Sequence, residues 1–206
     1  MIEKFLVQHA SGPCAVLLEL SKPWHVSYAK KHDFKYVDDH TEVSTGKFSR
    51  SSESMVWLAS CLNVFPDGAF LAVLDADTLI VKPEVDLRAG LSKGYELAFL
   101  GGNTWANMGV VFLLNTAAVR DFFRRILERG SVGTTNWLDA TCREVLQEMP
   151  MNFCFLDDRW NFFPTYGEAH RQHYYTEEEA IIRAWHGWGA KKALREMTEV
   201  LEKLTA

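Results

Sequence analysis

Ala69-Phe70-Leu71-Ala72-Val73-Leu74-Asp75-Ala76-Asp77-Thr78-Leu79-Ile80-Val81-Lys82-Pro83 decides how the chain folds. Residues 69–74 are apolar without a break, long enough for a strand buried on both faces of a parallel sheet. That strand delivers Asp75 and Asp77 at its C-terminal end, the edge where open α/β sheets bind ligands. If the strand continued through Asp77, alternation would point both carboxylates the same way. Like charges so close repel, and a divalent cation beside them removes the penalty. An Asp-x-Asp pair can also simply end a strand and cap the next turn.

The elements before this strand set its context. Residues 4–9 predict a first strand, 14–31 a helix, and Lys35–Val37 a second strand. The polar segment 38–50 reads as a loop carrying Lys47 and Arg50, placed either to meet phosphate or to face solvent. Ser51 or Ser52 would cap a helix running to about Phe65, whose Met55, Leu58, Ala59 and Leu62 form one apolar stripe. Pro66-Asp67-Gly68 then turns the chain into the central strand. The order β-α-β-α-β predicts an α/β fold with a mostly parallel central sheet flanked by helices.

Downstream, Glu96–Leu100 predicts a strand broken by Gly101-Gly102-Asn103. Trp105-Ala106-Asn107-Met108-Gly109 leads straight into Val110-Val111-Phe112-Leu113-Leu114-Asn115. Helices are expected over 116–129 and 138–148, the second carrying Asp139, and a short strand over 154–156 ends in Asp157-Asp158-Arg159-Trp160-Asn161. Residues 165–178 are polar and include His170 and His173. A final strand, Ile181–Trp185, is followed by His186-Gly187-Trp188-Gly189-Ala190-Lys191-Lys192. The last helix keeps Leu194, Met197, Leu201 and Leu204 on one face and is expected to pack on the body over 190–206.

At 206 residues the chain suits one α/β domain spanning 1–206. A formal charge of -5 argues against a nucleic-acid partner held by phosphate contacts. It leaves room for a nucleotide diphosphate bridged by a metal. Cys14, Cys61, Cys142 and Cys154 are widely spaced, form no Cys-x-x-Cys, and read as buried free thiols. The first residues hold no signal-peptide core and no apolar run reaches membrane-span length, so a cytoplasmic protein without a membrane span is expected.

The succession Val-Leu-Asp75-Ala-Asp77-Thr-Leu-Ile-x-x-Pro83, Asn107-Met-Gly109-Val, Arg159-Trp160-Asn161 and His186-Gly-Trp-Gly189-Ala-Lys-Lys192 resembles GT-A glycosyltransferases. The order is most similar to family 8, the glycogenin and lipopolysaccharide glycosyltransferase type, with some similarity to family 34. The resemblance implies a metal-dependent transfer of a hexose from a nucleotide diphosphate sugar, UDP-glucose or UDP-galactose, to an acceptor hydroxyl on a glycan, lipid-linked or protein acceptor, with retention. It implies Mn²⁺ held by Asp75, Asp77 and His186. Two carboxylates suit a hard cation, and an imidazole shifts preference from Mg²⁺ toward Mn²⁺.

The resemblance also implies that Gly189 admits the phosphates to the backbone and that Lys192, or its neighbour Lys191, pairs with them. Asn107 and Gly109 match the family's donor-contacting Asn-x-Gly. Asp139 stands where the family carries Asp-Gln-Asp, but Trp137-Leu138 precede it here. Asp157 or Asp158 would serve as an acceptor base or pair with Arg159. Gln8-His9-Ala10 departs from the family's first-strand nucleotide signature. Among Trp105, Trp160, Trp185 and Trp188, aromatics of a size common in cores, Trp188 is the one expected to face the acceptor.

Two other classes compete. Haloacid-dehalogenase-like, Mg²⁺-dependent phosphatases carry Asp-x-Asp-x-Thr after an apolar strand; here Thr78 comes one residue too early and two βα units precede the motif. A sugar-nucleotide-binding protein without turnover would keep the same residues.

Overall fold

The computed structural model describes residues 2–43, 53–102, 105–130, 138–163, 175–185 and 189–205. In chain order they form β1 (Lys4–His9), α1 (Ala15–Lys31), β2 (Lys35–Asp39), α2 (Glu53–Cys61), β3 (Phe70–Asp75), β4 (Thr78–Ile80), β5 (Leu97–Gly102), β6 (Trp105–Leu114), α3 (Ala117–Arg129), α4 (Leu138–Glu148), β7 (Phe153–Leu156), β8 (Ile182–Ala184) and α5 (Ala190–Thr205).

Six strands form one sheet in the order β2-β1-β3-β6-β5-β7. β1 pairs in parallel with β2 and β3, and β5 with β7, whereas β6 is antiparallel to both β3 and β5. The sheet is therefore mostly parallel, with β6 running against the rest. The reversal has a simple cause: only residues 103 and 104 separate β5 from β6, and a parallel crossover needs a dozen or more residues. Gly101-Gly102-Asn103 was the available sequence signal, although Gly101 and Gly102 still pair with β6 as the end of β5.

Both faces of the sheet are covered, which is why its strands read as continuous apolar runs. Leu71, Val73, Val111 and Leu113 pack with Met55 and Leu58 of α2, Phe122 and Ile126 of α3, and Val145 of α4. Their neighbours Phe70, Ala72, Leu74, Val110 and Phe112 point the other way, toward Tyr28 and Ala29 of α1. A third cluster joins Leu17 and Leu18 of α1 to Ala193 and Met197 of α5, with Ala76, Leu79 and Trp185. Each Val, Leu, Ile, Phe or Met side chain among them contributes roughly 1.5–3 kcal/mol of transfer free energy when fully buried. Leu194 and Leu201 of α5 pack against the same third cluster.

The turn into β3 is fixed by buried Asn115, whose Nδ2 donates to the carbonyls of Leu62, Phe65 and Pro66. Gly68 takes a left-handed φ of +74° there, a conformation that favours glycine. The expected final strand forms, but outside the main sheet. β8 pairs antiparallel with β4 in a two-stranded sheet, because the chain turns through Ala76–Asp77 and β4 leaves the line of β3. The predicted alternation of the two aspartates along one strand is thus replaced by a turn.

Candidate active site

β1 connects through α1 to β2 on one side, while β3 lies on the other, so the strand order reverses between β1 and β3. Crevices at such reversals, outside the C-terminal strand ends, are where open α/β sheets bind ligands. His9 and Asp75 face each other across this point in register. Asp75 Oδ1 accepts a hydrogen bond from Ser54 Oγ of α2 at 2.9 Å. Its carbonyl oxygen accepts from Thr78 Oγ1 at 2.7 Å, which closes the turn. The second aspartate is tied to the far end of the chain: Trp185 N donates to Asp77 O at 2.9 Å.

The charge at this edge is negative. Cys14, exposed just before α1, has its thiol pKa raised by partial burial and then by the nearby carboxylates of Asp77, Asp75 and Glu53. Glu53 Oε1 accepts from Ser11 Oγ at 2.7 Å and from Val43 N at 3.0 Å. A concentration of carboxylates with hydroxyl donors fits a hard cation. A different trio, Glu19, Asp38 and His40, gathers its ligand atoms within 4.8 Å of one another among the described residues. There the Lys22 ammonium already lies 2.8 Å from Asp38 Oδ2.

Asn107 and Gly109 come to the same edge. The β3–β6 pairing ends with Leu74 opposite Val110, the chain neighbours of Asp75 and Gly109. A register shift in the β5–β6 pairing between Phe99 and Leu100 bends β6 at this point. Rather than preceding the strand, Asn107 belongs to it. Its Oδ1 accepts from Gly109 N and from Asn161 Nδ2, each at 2.9 Å. Asn161 is fully buried and follows the 3-10 turn Asp158–Trp160.

The segment around that turn runs beside β8. Ile181 N donates to Arg159 O and Ala184 N to Phe162 O, each at 2.7 Å. One hydrogen-bonded path therefore links Asp77, Trp185, β8, residues 159–162 and Asn107. It brings the Asp-x-Asp turn, Asn107 and the Arg159-Trp160-Asn161 segment together.

Asp157 caps the 3-10 turn through Arg159 N at 3.0 Å and holds the Arg159 guanidinium through both carboxylate oxygens, at 3.0 and 2.7 Å. Of the two expectations for Asp157, the pairing with Arg159 is the one observed. Asp158 is half-buried beside it. Trp160 packs edge-on to Phe112, and Trp185 is fully buried, so both tryptophans are core. Gly189, at a φ of +74°, precedes α5, and its carbonyl accepts from Lys192 N and Ala193 N, each at 3.1 Å. Lys191 and Lys192 are exposed in the first turn of α5, and Ala193 packs in one cluster with Ala76.

His186, Trp188, Lys47, Arg50, Ser51, Ser52, His170 and His173 lie outside the described residues, as do the side chains of Asp139 and Trp105. Ser54 and Glu53 are the residues at this edge that sequence reading missed. They fall where a helix starts after a polar loop at the ligand edge, which is the only signal they carry.

The sequence matches no protein-family model and no curated protein. Solved structures do match. A glycosyltransferase involved in the glycosylation of the major capsid of PBCV-1 superposes with a TM-score of 0.72 at 13% identity, covering 95% of this chain and 98% of that one. The chain has the GT-A fold. The galactosyltransferase LgtC, solved with donor and acceptor sugar analogs, gives a TM-score of 0.57 at 13% identity over 98% and 96% of the two chains. Mouse xyloside xylosyltransferase 1 gives 0.54 at 10% identity over 91% and 99%. In this GT-A chain the Asp-x-Asp strand is the third in chain order, not the first, which removes the haloacid-dehalogenase reading. No helix among the described residues is long and apolar enough to cross a membrane.

Proposed function

We propose that the chain is a metal-dependent glycosyltransferase that moves a hexose from a uridine diphosphate sugar, glucose or galactose, to an acceptor hydroxyl with retention. The observation that carries this reading is the hydrogen bond from Trp185 N to Asp77 O, because it ties the residue before His186 to the Asp-x-Asp turn. Asp75, Asp77 and His186 would hold the cation, Mn²⁺ in preference to Mg²⁺. Bound there, the metal would neutralise charge on the departing diphosphate.

The remaining work falls to the chain itself. Lys192, or Lys191, on the first turn of α5 pairs with the diphosphate, where helix amides also favour an anion. Gly189 sets the path of the backbone into that turn. Asn107 and Gly109, held by Asn161, border the donor sugar. In the reaction the bond from the anomeric carbon to the diphosphate oxygen breaks, and the acceptor oxygen bonds to that carbon. Asp158 and Asp139 are the carboxylates we retain as acceptor base. We assign Asp157 to ordering this loop, because Arg159 engages both of its oxygens. Four free thiols fit a reducing compartment, and we place the protein in the cytoplasm.

The test is release of UDP from UDP-glucose and UDP-galactose with Mn²⁺ and with EDTA. Mn²⁺-dependent release supports transfer. Binding of the donor without release would favour the non-catalytic reading, and equal release in EDTA would overturn the metal.

A further inference from the structure

One face of α1 is turned onto the backbone that follows the Asp-x-Asp turn. Trp24 Nε1 donates to Ile80 O at 2.7 Å, and Ile80 N donates to His25 Nε2 at 3.4 Å. Further along, Tyr28 OH donates to Val85 O at 2.7 Å and accepts from Leu87 N at 2.9 Å. His32 Nε2 lies 2.8 Å from Pro83 O. β4 pairs with β8 on one side only, and at Ile80 side chains of α1 take the place of a second partner strand.

His25 reaches both sides of the turn. It is fully buried, and its Nδ1 lies 2.8 Å from Oε1 of fully buried Gln8. A backbone amide can only donate, so Nε2 offers its lone pair to Ile80 and Nδ1 carries the proton. Nδ1–H then donates to Gln8 Oε1, which also accepts from Tyr36 OH at 3.0 Å. With its oxygen committed to two donors, the Gln8 amide turns Nε2 toward Asp75 O, 3.5 Å away. One neutral imidazole thus connects Asp75, through Gln8, with Ile80, so that Asp75–Ile80 is held at both ends.

We propose that His25 is the positioning residue of the Asp75–Asp77 turn, fixing through Gln8 and the Ile80 amide the backbone geometry in which the two carboxylates take a cation. The inference rests on the reading of that turn as a metal site. A buried polar side chain costs stability unless satisfied, and a network satisfied at every nitrogen is rigid. A turn rigid before the metal arrives is spared the ordering cost on binding.

The test is titration of the full chain with Mn²⁺ alone, followed by the electron paramagnetic resonance signal of the free ion, with melting temperature measured in parallel. His25→Phe removes both hydrogen bonds at similar volume and is expected to weaken Mn²⁺ binding about tenfold, the low end for loss of a residue supporting a metal ligand. His25→Asn keeps an amide N–H for Gln8 and should recover part of that loss. Tyr28→Phe is the control, since it removes two hydrogen bonds of the same helix further from the turn. It should lower the melting temperature and leave Mn²⁺ affinity within about twofold, below the range expected for a residue supporting a ligand.

Wild-type affinity in a folded His25→Phe overturns the proposal. So does a loss in Tyr28→Phe as large as in His25→Phe. If His25→Phe does not fold, Gln8→Met and His25→Asn decide, with wild-type affinity in both overturning the proposal. Failure of the underlying reading looks different: Asp77→Asn would then bind Mn²⁺ as wild type does, and the positioning role would fall with it.

Discussion

Trp185 donates its amide hydrogen to the carbonyl oxygen of Asp77 at 2.9 Å. This bond joins the last short strand of the chain to the turn that carries both aspartates. It sets the expectations for the site and for the ion it would hold.

Asp75→Asn and Asp77→Asn each remove one charge with little change in volume. Transfer is expected to fall by about 10²-fold or more, in the range lost when charge stabilisation of a leaving group is removed. Initial rates of UDP release check this, with melting temperature as the control for folding. Wild-type turnover in a folded variant would overturn the assignment of that residue.

His186 is expected to share its ion with Asp77. His186→Ala should raise the Mn²⁺ concentration needed for half-maximal rate and lower turnover. Combined with Asp77→Asn it should add little, because residues of one site act as a unit. Mn²⁺ titrations of the two single variants and the double variant make the comparison. Independent, additive losses would remove His186 from the site.

Stability should depend on pH through His25. The group titrates at 6.5 in the unfolded chain and is pushed down to about 3 by burial in the fold. As pH falls below 6.5 the unfolded chain binds the proton and the folded chain does not. Stability from this group is therefore full above 6.5 and is lost toward 3, by up to about 1.4 kcal/mol per pH unit. Urea unfolding at neutral and mildly acid pH should show a shallower dependence in His25→Asn. An unchanged slope in that variant would mean that His25 is not buried neutral.

Gly90 marks a close approach in the core. A Cβ there would run into the ring of Phe112, which is fully buried near the C-terminal end of β6. Gly90→Ala is expected to cost about 1–3 kcal/mol, as overpacking does. That lowers the melting temperature by roughly 2–4 °C per kcal/mol in a chain of this size. Calorimetry measures it, and an unchanged melting temperature would show that β6 yields to the methyl group.

By itself the sequence determined β3, its placement in the sheet interior and the delivery of two aspartates to the ligand edge. An unbroken apolar run ending in charge is local information, and burial on both faces leaves it one reading. The apolar face of α5 was legible because period and burial coincide there. In α2, by contrast, Val56 and Trp57 are buried beside Met55 and Leu58, and the helix ends at Cys61 instead of near Phe65. Pairing across the fold was not legible, because it depends on where distant segments meet. The tertiary structure decided that β8 joins β4 instead of the main sheet and that Asn161 meets Asn107. It also assigned Trp160 and Trp185 to the core and Asp157 to Arg159. A tryptophan or an aspartate carries no mark of its partner in sequence, and its role is set by whichever surface the folded chain brings against it.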